Sequence, residues 1–181
     1  MFEAPLLDEP ARQALRQAAV ALDAAERRAQ PYGMSQALVA VARAYVQLRA
    51  VASAEAYYEL ALRWARSAGS TDPVVDVLCE LCECATLLAD AQDAAAPGSG
   101  HAARERARDH VFEASTLAGR VADASWEFKV LLRIGAVLER CGDCDDAALL
   151  QTRALRLMMG GLAAGAPDAA LLPSLGRLAD A

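Results

Sequence analysis

The chain predicts an all-α fold built from antiparallel helix pairs, and three observations predict it. Apolar residues recur three and four apart, the helical period, along most of the 181 residues. β-branched residues almost nowhere form the runs that make strands. A helix–turn–helix pattern returns at a fixed interval. That pattern is clearest from Leu131 to Leu157, where Leu131, Ile134, Gly135 and Leu138 make one apolar helix face. Cys141-Gly142-Asp143 breaks the helix, because glycine accepts the positive φ that ends one. A second helix carries Ala147, Leu150, Ala154, Leu155 and Leu157.

The unit returns twice upstream. Leu38, Val41-Ala42, Tyr45, Ala54, Tyr58 and Ala61 form one copy, and Leu78, Leu81-Cys82, Ala85, Ala107, Val111 and Ala114 form another. The numbers of Ala42 and Cys82 differ by 40, as do those of Ala107 and Ala147. The step from first to second helix is 12 in the outer copies (Ala42 to Ala54, Gly135 to Ala147) and 25 in the middle one (Cys82 to Ala107). The excess of 13 is the length of AQDAAAPGSGHAA, Ala91 to Ala103, a loop-like insertion. The period is therefore 40 with one insertion.

This arrangement resembles the tetratricopeptide repeat (TPR), a helix-turn-helix unit that stacks into a solenoid. The family has a large residue, a Leu-Gly-like pair, an apolar residue, a turn and an Ala-x3-aromatic-x2-Ala run. Those places fall on the residues just named, and Gln151 departs from the usual large apolar residue. A period of 40 exceeds the usual length of about 34 and resembles the long-helix subtype, such as the repeats of kinesin light chains. The resemblance covers roughly Ser35 to Gly160. It implies a right-handed α-solenoid of about eight helices with capping helices at both ends, and a concave groove lined by the first helix of each repeat.

In order, Leu6 to Ala29 reads as a helix started by Asp8, with Pro10 in its first turn, where a missing N–H costs little. Its Ala14, Ala18 and Ala21 lie one full period before Ala54, Tyr58 and Ala61, so residues 1–34 read as an N-terminal cap. Pro31-Tyr32-Gly33 reads as a turn. Repeat one, 35–72, has helices Ser35–Arg49 and Ala52–Ser67 and ends at Gly69 to Pro73. Repeat two, 73–122, has Val74–Ala91, the insertion 91–103, and Ala102–Gly119. Repeat three, 123–160, has Ser125–Arg140 and Asp145–Met159. In 161–181, glycines around Pro167 read as a break, after which Leu171–Ala179 forms a short C-terminal lid.

Composition narrows the function. The chain is 55% hydrophobic but only 5% aromatic, a core of alanine and leucine suited to closely spaced helices. Its net charge of −6 shows no basic footprint for nucleic acid. No apolar run approaches the roughly 18 residues of a membrane span, and the start lacks a secretory signal. Five cysteines, an odd number without such a signal, suggest reduced thiols in a cytoplasm.

Little in the chain suggests chemistry. Cys79-x-x-Cys82-x-Cys84 and Cys141-x-x-Cys144 invite a zinc reading. Three of these thiols fall mid-helix, however, and Cys82 takes the small-residue place of Ala42 and Gly135, so use as small hydrophobes suffices. A redox pair at Cys141 and Cys144 is the alternative. His101 and His110 have no Cys or Ser at a motif spacing. Asp145-Asp146 suits a helix N-terminus. No phosphate-binding glycine motif occurs. The expectation is no enzyme, no cofactor and no metal.

What remains is the groove. The contact places that the resemblance implies are Gln36, Val39, Arg43, Val46 and Gln47 in repeat one. They are Asp76, Cys79, Glu83, Thr86 and Leu87 in repeat two, and Lys129, Leu132, Ala136, Glu139 and Arg140 in repeat three. Arg43 and Glu83 stand at equivalent places, and mutual pairing is the simplest reading of them. The carboxylate-clamp set of chaperone-binding relatives is not met, since Val39 and Arg43 take two of its places and no groove asparagine exists. Trp64 and Trp126 read as packing between repeats. The function expected is a cytoplasmic adaptor that binds a peptide or helix of a partner protein. In size and repeat number the chain resembles bacterial chaperones of type III secretion substrates, and its Ala- and Arg-rich usage suggests a bacterial source. The alternative is a self-assembling scaffold, a homodimer through the end helices and the apolar Leu171, Leu172 and Leu175.

Overall fold

A computed structural model describes residues 9–121 and 123–163. These residues form seven α-helices and no strand: α1 (Glu9–Arg28), α2 (Pro31–Gln47), α3 (Val51–Ser67), α4 (Thr71–Ala95), α5 (His101–Ala118), α6 (Ala124–Cys141) and α7 (Cys144–Ala163). The expected helix over Leu171–Ala179 lies outside the described residues, as does Asp8. None of the seven helices is long and apolar enough to cross a membrane.

Each helix packs on the next, and α4 also packs on both α2 and α6. Side-chain pairs fix the directions. Arg133 bonds Glu83 and Arg140 bonds Asp90, an equal step along both helices, so α4 and α6 run the same way. Arg106 on Glu55 and Arg66 on Glu113 say the same of α3 and α5. Short connections make each successive pair a helix hairpin.

The repeat register is visible in burial. The small places Ala42, Cys82, Ala54, Ala107, Ala61, Ala114 and Ala154 are all 0% exposed. Alanine at these places lets two helix backbones approach without a cavity. Leu38, Leu78 and Leu131 fill the gaps above them. Gln151, the departure, is half-buried and donates to the Glu139 carboxylate.

Backbone turns repeat too. Helix α6 ends with Gly142 at φ 86° and with Asp143 N–H donating to the Leu138 carbonyl. Arg49, at the equivalent place of the first repeat, sits at φ 58°, and Ala50 N–H donates to the Tyr45 carbonyl in the same pattern. Ala29 at φ 50° and Gly69 at φ 76° are a second pair, one repeat period apart. The turn geometry recurs along the molecule although glycine serves it in only some copies.

Several boundaries differ from expectation. Pro31-Tyr32-Gly33 is the first turn of α2, with proline at the start, where it loses no helical bond. Gly160 and Gly161 lie within α7, which runs to Ala163. In α1 the buried positions are Ala11, Ala18 and Ala25, while Ala21 is exposed. An end helix packs one seam rather than two.

The insertion is the largest difference. The 91–103 segment is helical over most of its length, not a loop. Helix α4 has 25 residues against 17 in α2, so the hairpin is extended and the turn occupies only 96–100. Asp93 accepts from the Gly100 N–H at 2.7 Å, Ser99 Oγ donates to the Gln92 carbonyl, and Arg104 pairs with Asp93. Gly100 and Ala103 are buried. A Cβ at Gly100 would meet the Ala89 carbonyl oxygen at 2.4 Å, so only glycine allows this approach. Alanine runs extend helices readily, which is why the alanines flanking the turn are helical.

Candidate functional site

Helices α2 and α4 wall an open cleft of about 490 Å³. Tyr32, Ser35, Gln36, Val39 and Arg43 come from α2. Pro73, Asp76, Val77 and Glu80 come from α4, and Arg133 reaches in from α6. A second cleft, about 240 Å³, shares Arg43 and Glu80 and adds Val46, Gln47, Tyr58, Glu83, Cys84 and Leu87. The two form one groove along α2 and α4.

Of the expected groove residues, Gln36, Val39, Arg43, Val46 and Gln47 therefore lie together with Asp76, Glu83 and Leu87. Cys79 and Thr86 do not. They are 1% and 0% exposed in the core, and Thr86 Oγ1 donates to the Cys82 carbonyl. The repeat-three residues line neither cleft. Lys129 and Ala136 are exposed, Leu132 packs on the core, Glu139 bonds Gln151, and Arg140 pairs with Asp90 at 2.7 Å.

The floor of the groove is an ion network centred on Glu80. Its carboxylate accepts from Arg43 Nη2, Tyr58 Oη and Arg133 Nη2, each at 2.8 Å. Arg133 also bonds Glu83. Burial pushes the Glu80 carboxyl up, but the bonds from Arg43, Arg133 and Tyr58 outweigh it and hold the group at about 2. Burial lowers the Arg133 guanidinium, but Glu83 and Glu80 overcome it and the group is raised. The Tyr58 hydroxyl is pushed well up by burial and by Glu80, so it stays a neutral donor.

The expected Arg43–Glu83 pair is thus replaced by Arg43–Glu80 and Arg133–Glu83. The reason is the reach of the arginine side chains. In the repeat register Glu80 is equivalent to Ala40, Arg133 to Glu80 and Arg140 to Leu87. Each meets a residue three further along the preceding first helix: Arg43, Glu83 and Asp90. A guanidinium reaches about one turn along the neighbouring helix, and Arg133 spans both Glu83 and its own register equivalent, Glu80. Glu80 and Arg133 were missed because neither is among the contact places that the resemblance implies.

Four of the five thiols are buried. Burial pushes Cys79 and Cys84 up to about 12 and Cys82 well above its ordinary value. Cys141 is raised by burial as well. Cys144 is exposed at the start of α7. Among the described residues no group of His, Cys, Asp or Glu could hold a metal ion. His110 is half-buried beside Glu113 and Asp109, with its pKa lowered by burial. Trp64 and Trp126 are half-buried and packed on the core.

Away from this groove, α5 and α7 frame an apolar hollow of about 370 Å³ lined by Val111, Phe112, Leu138, Leu149 and Leu150. Phe112 and Leu149 are 75% and 67% exposed. Compared with known proteins, the chain matches no family model and no curated protein.

Proposed function

We propose that the chain is a non-enzymatic binding module of the tetratricopeptide kind, a right-handed α-solenoid that holds a segment of a partner protein along its first helices. One observation supports this most. Eight of the groove residues that the resemblance implies line two adjoining clefts along α2 and α4. The walls mix apolar Val39, Val46 and Leu87 with polar Gln36 and Gln47, the composition that suits an extended peptide or a helix. The ion network ties α2, α4 and α6 together at the floor of the groove. A chaperone-like or regulatory role in a bacterial cytoplasm fits this reading.

The test is capture from a lysate of the source cells, identified by mass spectrometry. Wild type is compared with Gln36→Arg/Gln47→Arg, two exposed residues outside the ion network. A protein held by wild type and lost by the double variant supports the groove. Recovery unaffected by the variant refutes it.

A second reading, self-assembly, is favoured by Phe112 and Leu149, large apolar side chains exposed at one hollow between α5 and α7. Sedimentation velocity decides it. A dimer that becomes a monomer on Phe112→Glu supports assembly through this face, and a wild-type monomer at high concentration excludes it.

A further inference from the structure

Repeat three leaves open a helix face that repeat one has covered. Gln151, Leu155 and Met159 follow one another at intervals of four along α7 and share one side of it. Gln151 donates to Glu139, so this side lies next to α6. The register equivalents in α3 are Tyr58, Leu62 and Arg66. There the following repeat closes over them: Tyr58 donates to Glu80 of α4, and Arg66 pairs with Glu113 of α5. Leu62 is 6% exposed, whereas Leu155 is 37% and Met159 66% exposed. At the same place α1 has Leu22, packed on the core, and α5 has Ser115, exposed but polar. Of these equivalents only Leu155 is both apolar and exposed.

The chain continues for 18 residues beyond Ala163, and their order matches the open face. Leu171 comes one period after Leu131, at the place that Leu38, Leu78 and Leu131 fill in the core of the earlier repeats. Leu172, Leu175 and Leu178 follow it. The connection is long enough: residues 164–170 can span about 23 Å, and Leu155 lies only about 12 Å of helix before Ala163. We propose that Leu171, Leu172 and Leu175 dock on Leu155 and Met159 of the same chain and close the open side of repeat three. A second copy is the competing occupant. A tether this short holds its own leucines near the face at an effective concentration on the order of millimolar, which a separate copy in dilute solution does not match. The leucines are then engaged within one molecule instead of joining two.

This inference rests on the repeat register and not on the groove reading, so loss of partner capture leaves it standing. Met159 reports on it directly. The full chain is treated with dilute hydrogen peroxide, and the sulfoxide formed at each methionine is followed by peptide mass spectrometry. Met159 should oxidise about tenfold more slowly in wild type than in Leu171→Asp/Leu175→Asp, at a rate independent of protein concentration. Met34 and Met158 are buried and should stay slow in both, which shows that the repeats remain folded. In the reverse direction Met159→Glu, a change at an exposed place, should speed tryptic cleavage at Arg177, the one Lys or Arg beyond Ala163, by about tenfold. Equal Met159 oxidation in wild type and variant, or Arg177 cleavage unaffected by Met159→Glu, would overturn the docking. Protection of Met159 that grows with protein concentration would overturn it in favour of a second copy.

Discussion

Replacing Glu80 by glutamine removes one charge from the centre of the groove floor and leaves its shape. The Glu80 side chain is 11% exposed. A carboxyl held at about 2, against an ordinary 4.5, favours its charged form by about 3 kcal/mol at full value. Solvent reaches the network, since the Arg43 side chain is 61% exposed, and screening reduces this to about 2 kcal/mol. Tyr58 can still donate to the Gln carbonyl, and Arg133 keeps Glu83, so no buried donor is orphaned. Urea unfolding at pH 7, followed by helical circular dichroism, should show Glu80→Gln less stable than wild type by about 2 kcal/mol, or about 4–8 °C in melting temperature. The pH dependence is the sharper part. Because the folded pKa is depressed, the wild-type advantage is fully present above the unfolded value near 4.5. It is lost as pH falls toward 2, as the folded group also takes up its proton. The two curves should converge over that window. A stability gap that stays constant from pH 7 down to the lowest pH at which both fold would refute the network as the source of the difference.

Other substitutions probe the repeat itself. Ala61→Leu places a large side chain at a contact that is 0% exposed and should cost about 1–3 kcal/mol in urea unfolding; a neutral result would mean the helices do not meet there. Gly100→Ala should cost a similar ~1–3 kcal/mol, because its Cβ would lie 2.4 Å from the Ala89 carbonyl oxygen; unchanged stability would show the extended α4–α5 turn to be loosely held. Arg49→Gly should stabilise by about 0.5–1 kcal/mol, since a left-handed non-glycine residue costs about 1–2 kcal/mol and glycine's greater freedom in the unfolded chain offsets part of the gain. Destabilisation on that change would show that the Arg49 side chain contributes more than its backbone conformation costs.

Much of the fold was legible in the sequence because it is written in local periods. Apolar spacing gives helices, and alanine recurring at Ala42, Ala54, Ala61 and their equivalents gives the faces where helices must touch. Cys141-Gly142-Asp143 announced its turn through glycine, whereas Arg49 adopts the equivalent conformation without any residue-type signal. The Ala91–Ala103 segment misled because its glycines and proline suggested a loop, while its alanines extend the helices on both sides.

The helical class and the repeat register follow from the order of amino acids alone. Each depends on contacts within a helix or between neighbours in the chain. Which charges meet is a different matter, and it emerges only when the helices pack. How α2, α4 and α6 sit against one another is the sum of many side-chain packings, and no single residue encodes it. That packing gives Arg43 to Glu80 and Arg133 to both Glu80 and Glu83. It also keeps Cys79 and Thr86 in the core, away from the cleft that Asp76 and Val39 line.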